Sequence, residues 1–107
     1  MVRHTVYFWL NEEVMEKDKK IFEESLKNLM KQIDKVFKWE IGIPGPTAHR
    51  TITDHTFSYS LLAWFKSLAD HNDYLAHPEY RVFEDRFRQL WKKVRVYDST
   101  IIGMTLS

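Results

Sequence analysis

The chain has 107 residues, of which 44% are hydrophobic and 15% aromatic, and its formal net charge is +1. This apolar content is sufficient for the packed core of one domain over residues 1–107, and it excludes a disordered chain. The mixed charges give no electrostatic footprint for nucleic acid or anionic lipid, and the absence of cysteine excludes disulfides and thiolate metal sites. Without a signal-peptide pattern or a run of ~18 apolar residues, we expect a soluble, cytoplasmic protein with no membrane or nucleic-acid partner.

Alternating bulky residues predict a first strand over residues 3–11. His4 and Phe8 lie on one face of this strand, whereas Tyr7 and Trp9 lie on the other. Large side chains on both faces indicate that the strand is covered from two sides.

A helix and two strands are predicted next. Asn11 is the predicted N-cap of a helix over residues 13–35, in which apolar residues recur at intervals of three and four. Residues 36–43 and 57–65 predict the second and third strands. The polar segment between them, residues 44–56, contains two prolines and one glycine without periodicity, so we expect an irregular and comparatively mobile loop.

The C-terminal part of the chain predicts a helix that is broken by proline and followed by a last strand. Ser67 with Asp70 forms a variant of the capping box that opens a short helix. Pro78 has no N–H to continue that helix, but it suits the first position of a new one. Residues 94–104 predict the last strand. This βαββαβ order is typical of an α+β, ferredoxin-like fold, in which a four-stranded antiparallel sheet carries helices on one face.

Helices on one face of the sheet leave its other face uncovered. That face would expose large side chains such as Tyr7 and Trp9, and exposed apolar patches of more than a few hundred Å² usually mark an interface. A symmetric homodimer that buries sheet against sheet is the simplest arrangement, so we expect a dimeric α/β barrel.

The segment HNDYLAHPEY raises the question of whether its rings form an active site. Four ionisable or hydrogen-bonding rings recur in it at an interval of three: His71, Tyr74, His77 and Tyr80. Because Pro78 divides the segment between two helices, this interval does not make one continuous stripe. We expect His71, which lies in a polar run, to be exposed to solvent, and His77 to position the start of the second helix.

Four segments carry a family resemblance, in the order RHTVYFWL, SYSLLAWFKS, DYLAHPEYRVFEDRF and VRVYD. Together they resemble the stress-responsive dimeric α/β-barrel (Dabb) family over nearly the whole chain. The most specific pieces are His-x-x-x-Phe in the first strand and Tyr-x-x-His-Pro at the helix break. The resemblance implies a ferredoxin-like protomer, a homodimer whose two sheets face each other, and a pocket between the sheet and the helices of each protomer.

One plant branch of that family consists of polyketide cyclases, and the resemblance carries their catalytic positions onto this sequence. His4 matches their strand-one histidine, Tyr74 matches their helix tyrosine, and His77 matches the histidine before proline. Tyr80 stands where the cyclases have their catalytic histidine. A tyrosine with a pKa of ~10 is a poor general base at neutral pH, so this departure argues against cyclase chemistry.

The predicted pocket follows from the resemblance. The candidate catalytic residues are His4, Tyr74 and Tyr80, and only the His4 side chain has an ordinary pKa near neutrality. The predicted ligand-binding residues are His4, Phe8, Tyr74, His77, Tyr80, Phe83 and Phe87. A structural interpretation stays open for His4, as a core histidine with a hydrogen-bond partner, and for Tyr74, as a ring packed against the sheet.

A metal site is not expected from the spacing of the histidines. The sequence contains no helical His-x-x-x-His or Glu-x-x-His pattern, and His49 with His55 lies in the polar loop. We therefore predict neither a metal site nor a cofactor.

Three functions remain open. The first is a homodimer of unassigned activity that binds a small apolar or aromatic molecule between sheet and helices. The second is an enzyme of the polyketide-cyclase or proton-transfer type that acts on a carbonyl compound, with Tyr80 as a phenol donor. The third is a structural, stress-related dimer without a ligand. A cavity with His4 and Tyr74 at its wall would favour the first two, and a solid core would favour the third.

Overall fold

The computed structural model describes residues 1–105, in which a four-stranded antiparallel sheet carries helices on one face. The strands are β1 (Val2–Leu10), β2 (Lys38–Gly42), β3 (Tyr59–Phe65) and β4 (Trp91–Thr100). The helices are α1 (Glu16–Gln32), α2 (Leu68–Leu75) and α3 (Pro78–Phe87), and a 3₁₀ turn, Arg88–Leu90, leads into β4. The sheet order is β2-β3-β1-β4, which confirms the predicted α+β, ferredoxin-like βαββαβ fold. Residues 106 and 107 of the predicted domain lie outside the described residues.

The central strand β1 pairs with β3 on one side and with β4 on the other. In this register, His4 lies opposite Ala63 of β3 and opposite Asp98 of β4. Directly opposed residues in an antiparallel pair point to the same face of the sheet. The sheet therefore brings the side chains of His4 and Asp98 together on the face that the helices cover.

The core lies between that face of the sheet and α1, whose inward residues recur at helical intervals. Phe22 of α1 is fully buried, and its ring lies 5.2 Å from Phe8 of β1 and 5.6 Å from Tyr59 of β3. It also contacts Phe83 and Phe87 of α3 at 5.7 and 5.5 Å. One aromatic side chain of α1 thus holds two strands and the last helix together.

Helix α1 begins at Glu16, three residues later than predicted, and ends at Gln32, so the predicted N-cap Asn11 is wrong. The side-chain amide of Asn11 donates a hydrogen bond to the carbonyl oxygen of Gln89 at 3.1 Å. The backbone carbonyl of Asn11 accepts a hydrogen bond from the N–H of Val14 in a turn. Because these contacts tie Asn11 to the start of β4, it cannot cap the helix, and Met15 stands at the N-cap position instead.

The predicted break in the second helical region is confirmed. The Ser67 hydroxyl accepts a hydrogen bond from the backbone N–H of Asp70 at 3.1 Å and caps α2. Pro78 is the first residue of α3, and the imidazole of His77 accepts from the N–H of Glu79 at 3.1 Å. His77 is therefore the N-cap of α3, as its structural interpretation predicted.

Residues 44–56 contain neither helix nor strand, as predicted, but they make contacts of their own. The hydroxyl of Thr47 and the imidazole of His55 are 2.7 Å apart, and Asp54 accepts two hydrogen bonds from Thr56. The indole N–H of Trp9 donates to the Thr56 hydroxyl at 2.8 Å. These bonds attach the end of the loop to the sheet, and the mobility of the loop remains a prediction.

The face of the sheet opposite the helices carries the bulky side chains that the alternation predicted. The ring of Tyr7 packs edge-on against Phe57 at 5.0 Å and against Tyr97 at 6.3 Å. Tyr97 is 58% exposed, and the ammonium of Lys93 lies 4.5 Å from the ring centre of Trp9. We call this surface the open face.

Candidate ligand cavity

A cavity of about 410 Å³ lies between the helix-covered face of the sheet and helices α2 and α3. Its apolar wall consists of Val6, Phe8, Leu26, Leu61, Leu75, Phe83, Trp91, Val94 and Val96. Its polar wall consists of His4, Tyr74, Tyr80, Glu84, Arg88 and Asp98. A mostly apolar cavity of this size with a few polar groups is typical of small-molecule sites.

The cavity opens along the edge strand β4. Val96 of β4 points to the helix-covered face and is nevertheless 49% exposed, whereas Phe65 of β3 on the same face is fully buried. The helices thus cover the β3 side of the sheet and leave the β4 side open, and the cavity occupies the uncovered space.

His4 and Asp98 form a close pair at the cavity wall. The Nδ1 atom of His4 lies 2.6 Å from Oδ1 of Asp98, and the His4 side chain is buried while that of Asp98 is half exposed. Burial lowers the pKa of His4 from its ordinary value, although the Asp98 carboxylate opposes this change. His4 is therefore a neutral imidazole at pH 7, and its Nδ1–H donates to the carboxylate, which can only accept.

His71 is 7% exposed, so the expectation that it faces solvent is wrong. It lies one helical turn before Tyr74, and both side chains point inward from α2, while Asn72 and Asp73 are exposed. The centres of the His71 and His4 rings are 5.1 Å apart. Nε2 of His71 lies 3.8 Å from the same Asp98 oxygen that His4 contacts. A second histidine thus adjoins the His4–Asp98 pair.

Two tyrosines line the cavity beside this group, and their ring centres are 5.2 Å apart. Burial, and then the neighbouring Tyr80, raises the pKa of Tyr74 far above its ordinary value. Burial is also the main reason that the pKa of Tyr80 is raised, and its hydroxyl donates to Glu84 at 3.4 Å. Both phenols stay protonated at neutral pH, so they cannot act as general bases. Tyr74 can donate its proton to a ligand, whereas the one proton of Tyr80 is donated to Glu84, so Tyr80 offers a ligand an acceptor oxygen.

The structure brings most of the sequence-predicted site residues to this cavity. Its lining includes His4, Phe8, Tyr74, Tyr80 and Phe83. Their roles in binding or catalysis remain predictions.

His77 and Phe87 do not line the cavity, so the structure does not place these two of the predicted ligand-binding residues with the others. The His77 side chain is directed to the backbone of Glu79 as a helix cap. Phe87 is 4% exposed, and it packs against Phe22 on the other side of α3.

Sequence reasoning missed Asp98, Glu84 and His71. Asp98 has a detectable signal, because it follows Val94 and Val96 at strand intervals and so must share their face. Glu84 lies one turn after Tyr80 on α3, with its carboxylate between the Tyr80 hydroxyl and Arg88. Asp98 and Glu84 thus add charged groups to the wall of the predicted pocket.

One group of described residues has the composition of a metal site. His4, His71 and Asp98 each offer one ligand atom, and these atoms all lie within 4.8 Å of one another.

Within residues 1–105, no helix is both long enough and apolar enough to cross a membrane.

Three solved structures illustrate the likeness of this fold to known proteins. Hydroxynitrile lyase from Passiflora edulis is 22% identical with a TM-score of 0.81, covering 99% of this chain and 96% of its own. A Dabb family protein with a ferredoxin-like fold from Mesorhizobium loti is 23% identical with a TM-score of 0.77, covering 95% and 97%. A dimeric ferredoxin-like protein of unknown function from Thermobifida fusca is 15% identical with a TM-score of 0.75, covering 94% and 90%.

A comparison with curated proteins finds no match. Residues 2–101 match the family model described as the stress responsive A/B barrel domain. This match spans the sheet, the helices and every residue of the candidate cavity. The chain therefore belongs to the stress responsive A/B barrel (Dabb) domain family.

Proposed function

We propose that this protein is a homodimer in which each protomer binds one small apolar or aromatic molecule in the candidate cavity. The observation that supports this most directly is the cavity itself, about 410 Å³ in volume and walled mainly by aliphatic and aromatic side chains. A solid core at this place, as the purely structural alternative requires, would leave no such space. Burial of an apolar ligand would contribute roughly 25 cal/mol of binding free energy for each Å² of apolar surface removed from water.

The polar residues of the cavity favour a ligand with an oxygen on an otherwise apolar skeleton. The Tyr74 hydroxyl is a donor, and the half-exposed Asp98 carboxylate and the Tyr80 oxygen are acceptors. A phenol, an alcohol or a ketone can satisfy one of these groups, whereas a plain hydrocarbon leaves them without a partner. We expect 2-naphthol to bind more tightly than naphthalene for this reason.

Calorimetric titration of the purified protein with 2-naphthol tests the ligand proposal. We expect saturable binding of one molecule per protomer. Val96→Trp, which places an indole in the mouth of the cavity, should weaken binding roughly tenfold, or by about 1.4 kcal/mol. Val82→Trp is the matched control, because Val82 is 60% exposed on α3 and does not line the cavity. Equal affinities for the two variants, or no saturable binding, would rule out this cavity as the site.

Dimerisation is supported by the open face, where Tyr97 is exposed and its aromatic neighbours Tyr7, Trp9 and Phe57 are only half-buried in the single chain. The Thermobifida fusca structure of the same fold is described as dimeric. Light scattering at micromolar concentration should give twice the chain mass of 13.0 kDa. Tyr97→Glu on the open face should shift the mass toward a monomer, whereas Val82→Glu on α3 should not. A clean monomer for the unaltered protein would reject the dimer.

A second candidate function is proton-transfer catalysis on a carbonyl compound. It is supported by the neutral His4 imidazole, which is hydrogen-bonded to Asp98 and lines the same cavity as the two phenols. The Passiflora edulis protein of the same fold is named a hydroxynitrile lyase, so an enzyme is known on this scaffold. His4 is the candidate base, because its imidazole is neutral and both phenols are protonated.

Turnover of a cyanohydrin and cyclisation of a poly-β-keto thioester are the assays for this second function. Catalysis by His4 predicts that His4→Ala abolishes any turnover by the unaltered protein. Tyr80→His should raise cyclisation, because it restores the histidine that the cyclases carry at this position. Turnover that persists in His4→Ala would reject His4 as the base. An absence of turnover in both the unaltered protein and Tyr80→His would leave binding as the function.

A further inference from the structure

Three metal-ligating side chains from three different elements meet beside the candidate cavity. His4 comes from β1, His71 from α2 and Asp98 from β4. His4 and His71 are buried, and Asp98 Oδ1 lies 2.6 Å from Nδ1 of His4 and 3.8 Å from Nε2 of His71. Core packing alone does not require two imidazoles around one carboxylate oxygen, so the group calls for a chemical explanation.

The second observation is an unsatisfied nitrogen on His71. Its Nδ1 lies 3.1 Å from the side-chain oxygen of Asn72, which can only accept, so Nδ1 carries the proton. Nε2 of His71 then has no proton and carries a free lone pair. It is buried, has no hydrogen-bond partner within residues 1–105, and faces the Asp98 carboxylate. Two acceptors that face each other repel unless a cation lies between them.

We propose that His4, His71 and Asp98 bind one divalent transition-metal ion of the Zn²⁺ type at the wall of the cavity. Imidazole nitrogen and carboxylate oxygen are ligands that Zn²⁺ prefers, at about 2.0–2.2 Å. In a tetrahedral site, such ligands lie ~3.3 Å from one another. The two separations from Asp98, 2.6 and 3.8 Å, lie on either side of that value, and the three ligand atoms lie within 4.8 Å of one another, so side-chain movements would bring them to coordination distance. To bind the metal through Nδ1, neutral His4 takes its other tautomer, in which the proton that Nδ1 donates to Asp98 lies on Nε2 instead.

The neighbouring groups suit a metal site with an open position. Asn72 fixes the tautomer and orientation of His71, as outer hydrogen bonds to metal-binding histidines commonly do. Three protein ligands leave a fourth coordination position, as in catalytic zinc sites. His4 and Asp98 line the cavity, so this position faces the space in which a ligand oxygen would lie. A metal there would polarise a carbonyl or hydroxyl oxygen.

This inference goes beyond the proposed function and does not depend on it, because metal binding is measured without any organic ligand. The test uses the untagged full chain and two readouts, competition for Zn²⁺ with a chromogenic chelator and the visible absorption spectrum of bound Co²⁺. We expect one ion per chain and a Co²⁺ spectrum typical of tetrahedral nitrogen and oxygen coordination. Loss of the 2-naphthol complex with retained metal binding would reject the ligand proposal only.

Ligand variants and a matched histidine control identify the site. His71→Leu keeps the apolar volume but removes the nitrogen, and Asp98→Asn alters a half-exposed residue, so the fold is expected to tolerate it. Both should weaken Zn²⁺ binding roughly 100-fold or more, since even outer hydrogen-bond partners are worth 10–100-fold. The control is His49→Ala with His55→Ala, because these loop rings are 5.2 Å apart and belong to no part of the cluster. This double variant should bind Zn²⁺ as tightly as the unaltered protein does.

Three outcomes would overturn the proposal. The first is an absence of stoichiometric binding by the unaltered protein. The second is binding that survives both His71→Leu and Asp98→Asn. The third is binding that disappears only in the His49 and His55 control, which would place the ion on the exposed loop. Far-ultraviolet circular dichroism of each variant verifies that lost binding does not reflect an unfolded chain.

Discussion

The two sides of the helix-covered face are built from the same kind of strand but differ in what lies over them. On the β3 side, Ala63 and Phe65 are fully buried. On the β4 side, Val96 points to the same face and is 49% exposed. The difference lies in the helices, because an alternating strand forms a solid core only where a helix packs on it. An apolar strand pattern therefore does not distinguish a core from the wall of a cavity.

The chemistry of the protein is concentrated on the less covered side. Phe22 of the 17-residue helix α1 packs on β1 and β3. Helices α2 and α3, which are divided at Pro78, place Tyr74 and Tyr80 in the cavity wall and His71 beside Asp98 of β4. The rings of His71 and Tyr74 also pack against Phe65 of β3. Two short helices therefore stand where one continuous helix could pack, and they carry polar side chains that point inward.

The largest difference between the two sides should appear in stability. Phe65→Ala on the solid side should cost about 3–5 kcal/mol, because it leaves a void among buried groups. Val96→Ala on the cavity side should cost less than about 1 kcal/mol, because its side chain already contacts solvent. Urea unfolding of the two variants measures both values. Equal losses would indicate that the β4 side is packed as tightly as the β3 side.

A smaller effect is expected from the polar pair on the cavity side. Asp98→Ala leaves the buried Nδ1–H of His4 without its acceptor, which should cost about 1 kcal/mol, since water can replace a half-exposed carboxylate only in part. Asp85→Ala on the outside of α3 is the matched control, with a side chain 64% exposed in a weak contact with Arg88. The two free energies of unfolding should differ, and identical values would show that the His4–Asp98 bond adds no stability.

The smallest expected effect is a dependence of stability on pH. The pKa of His4 is lowered in the folded state by burial, so the unfolded chain takes up a proton near pH 6.5 while folded His4 does not. The contribution of neutral His4 to the free energy of unfolding is therefore fully present above pH 6.5, and it is lost as the pH falls toward the pKa of His4 in the folded state. His4→Leu should lose less stability than the unaltered protein between pH 7.5 and 5. A steeper loss in His4→Leu would contradict the assigned neutral imidazole.

Much of this architecture could be predicted from the sequence. The alternation in β1 and β3, the cap at Ser67 and the break at Pro78 are local patterns, and each one has a single physical reading. His4, Tyr74 and Tyr80 came from the family resemblance, and the structure places all three at one cavity.

The rest depends on contacts between distant parts of the chain. The burial of His71 is hidden in the sequence by its polar neighbours, although its helical position one turn before Tyr74 directs it inward. Asn11 has the residue type and position of a helix cap, and its bond to Gln89, 78 residues away, has no local sequence pattern that would indicate otherwise. The His4–His71–Asp98 cluster combines three elements, so no spacing rule for metal ligands could reveal it.

Methyl-resolved NMR during titration with 2-naphthol tests the ligand cavity most directly. We expect progressive shifts for the methyl groups of Val94, Val96 and Leu26, which line the cavity. The methyl groups of Ala63 and Ile33, in the solid part of the core, should stay in place. Shifts confined to the open face, or no saturable shift at Val94 and Val96, would contradict the claim that this protein binds a ligand between its sheet and its helices.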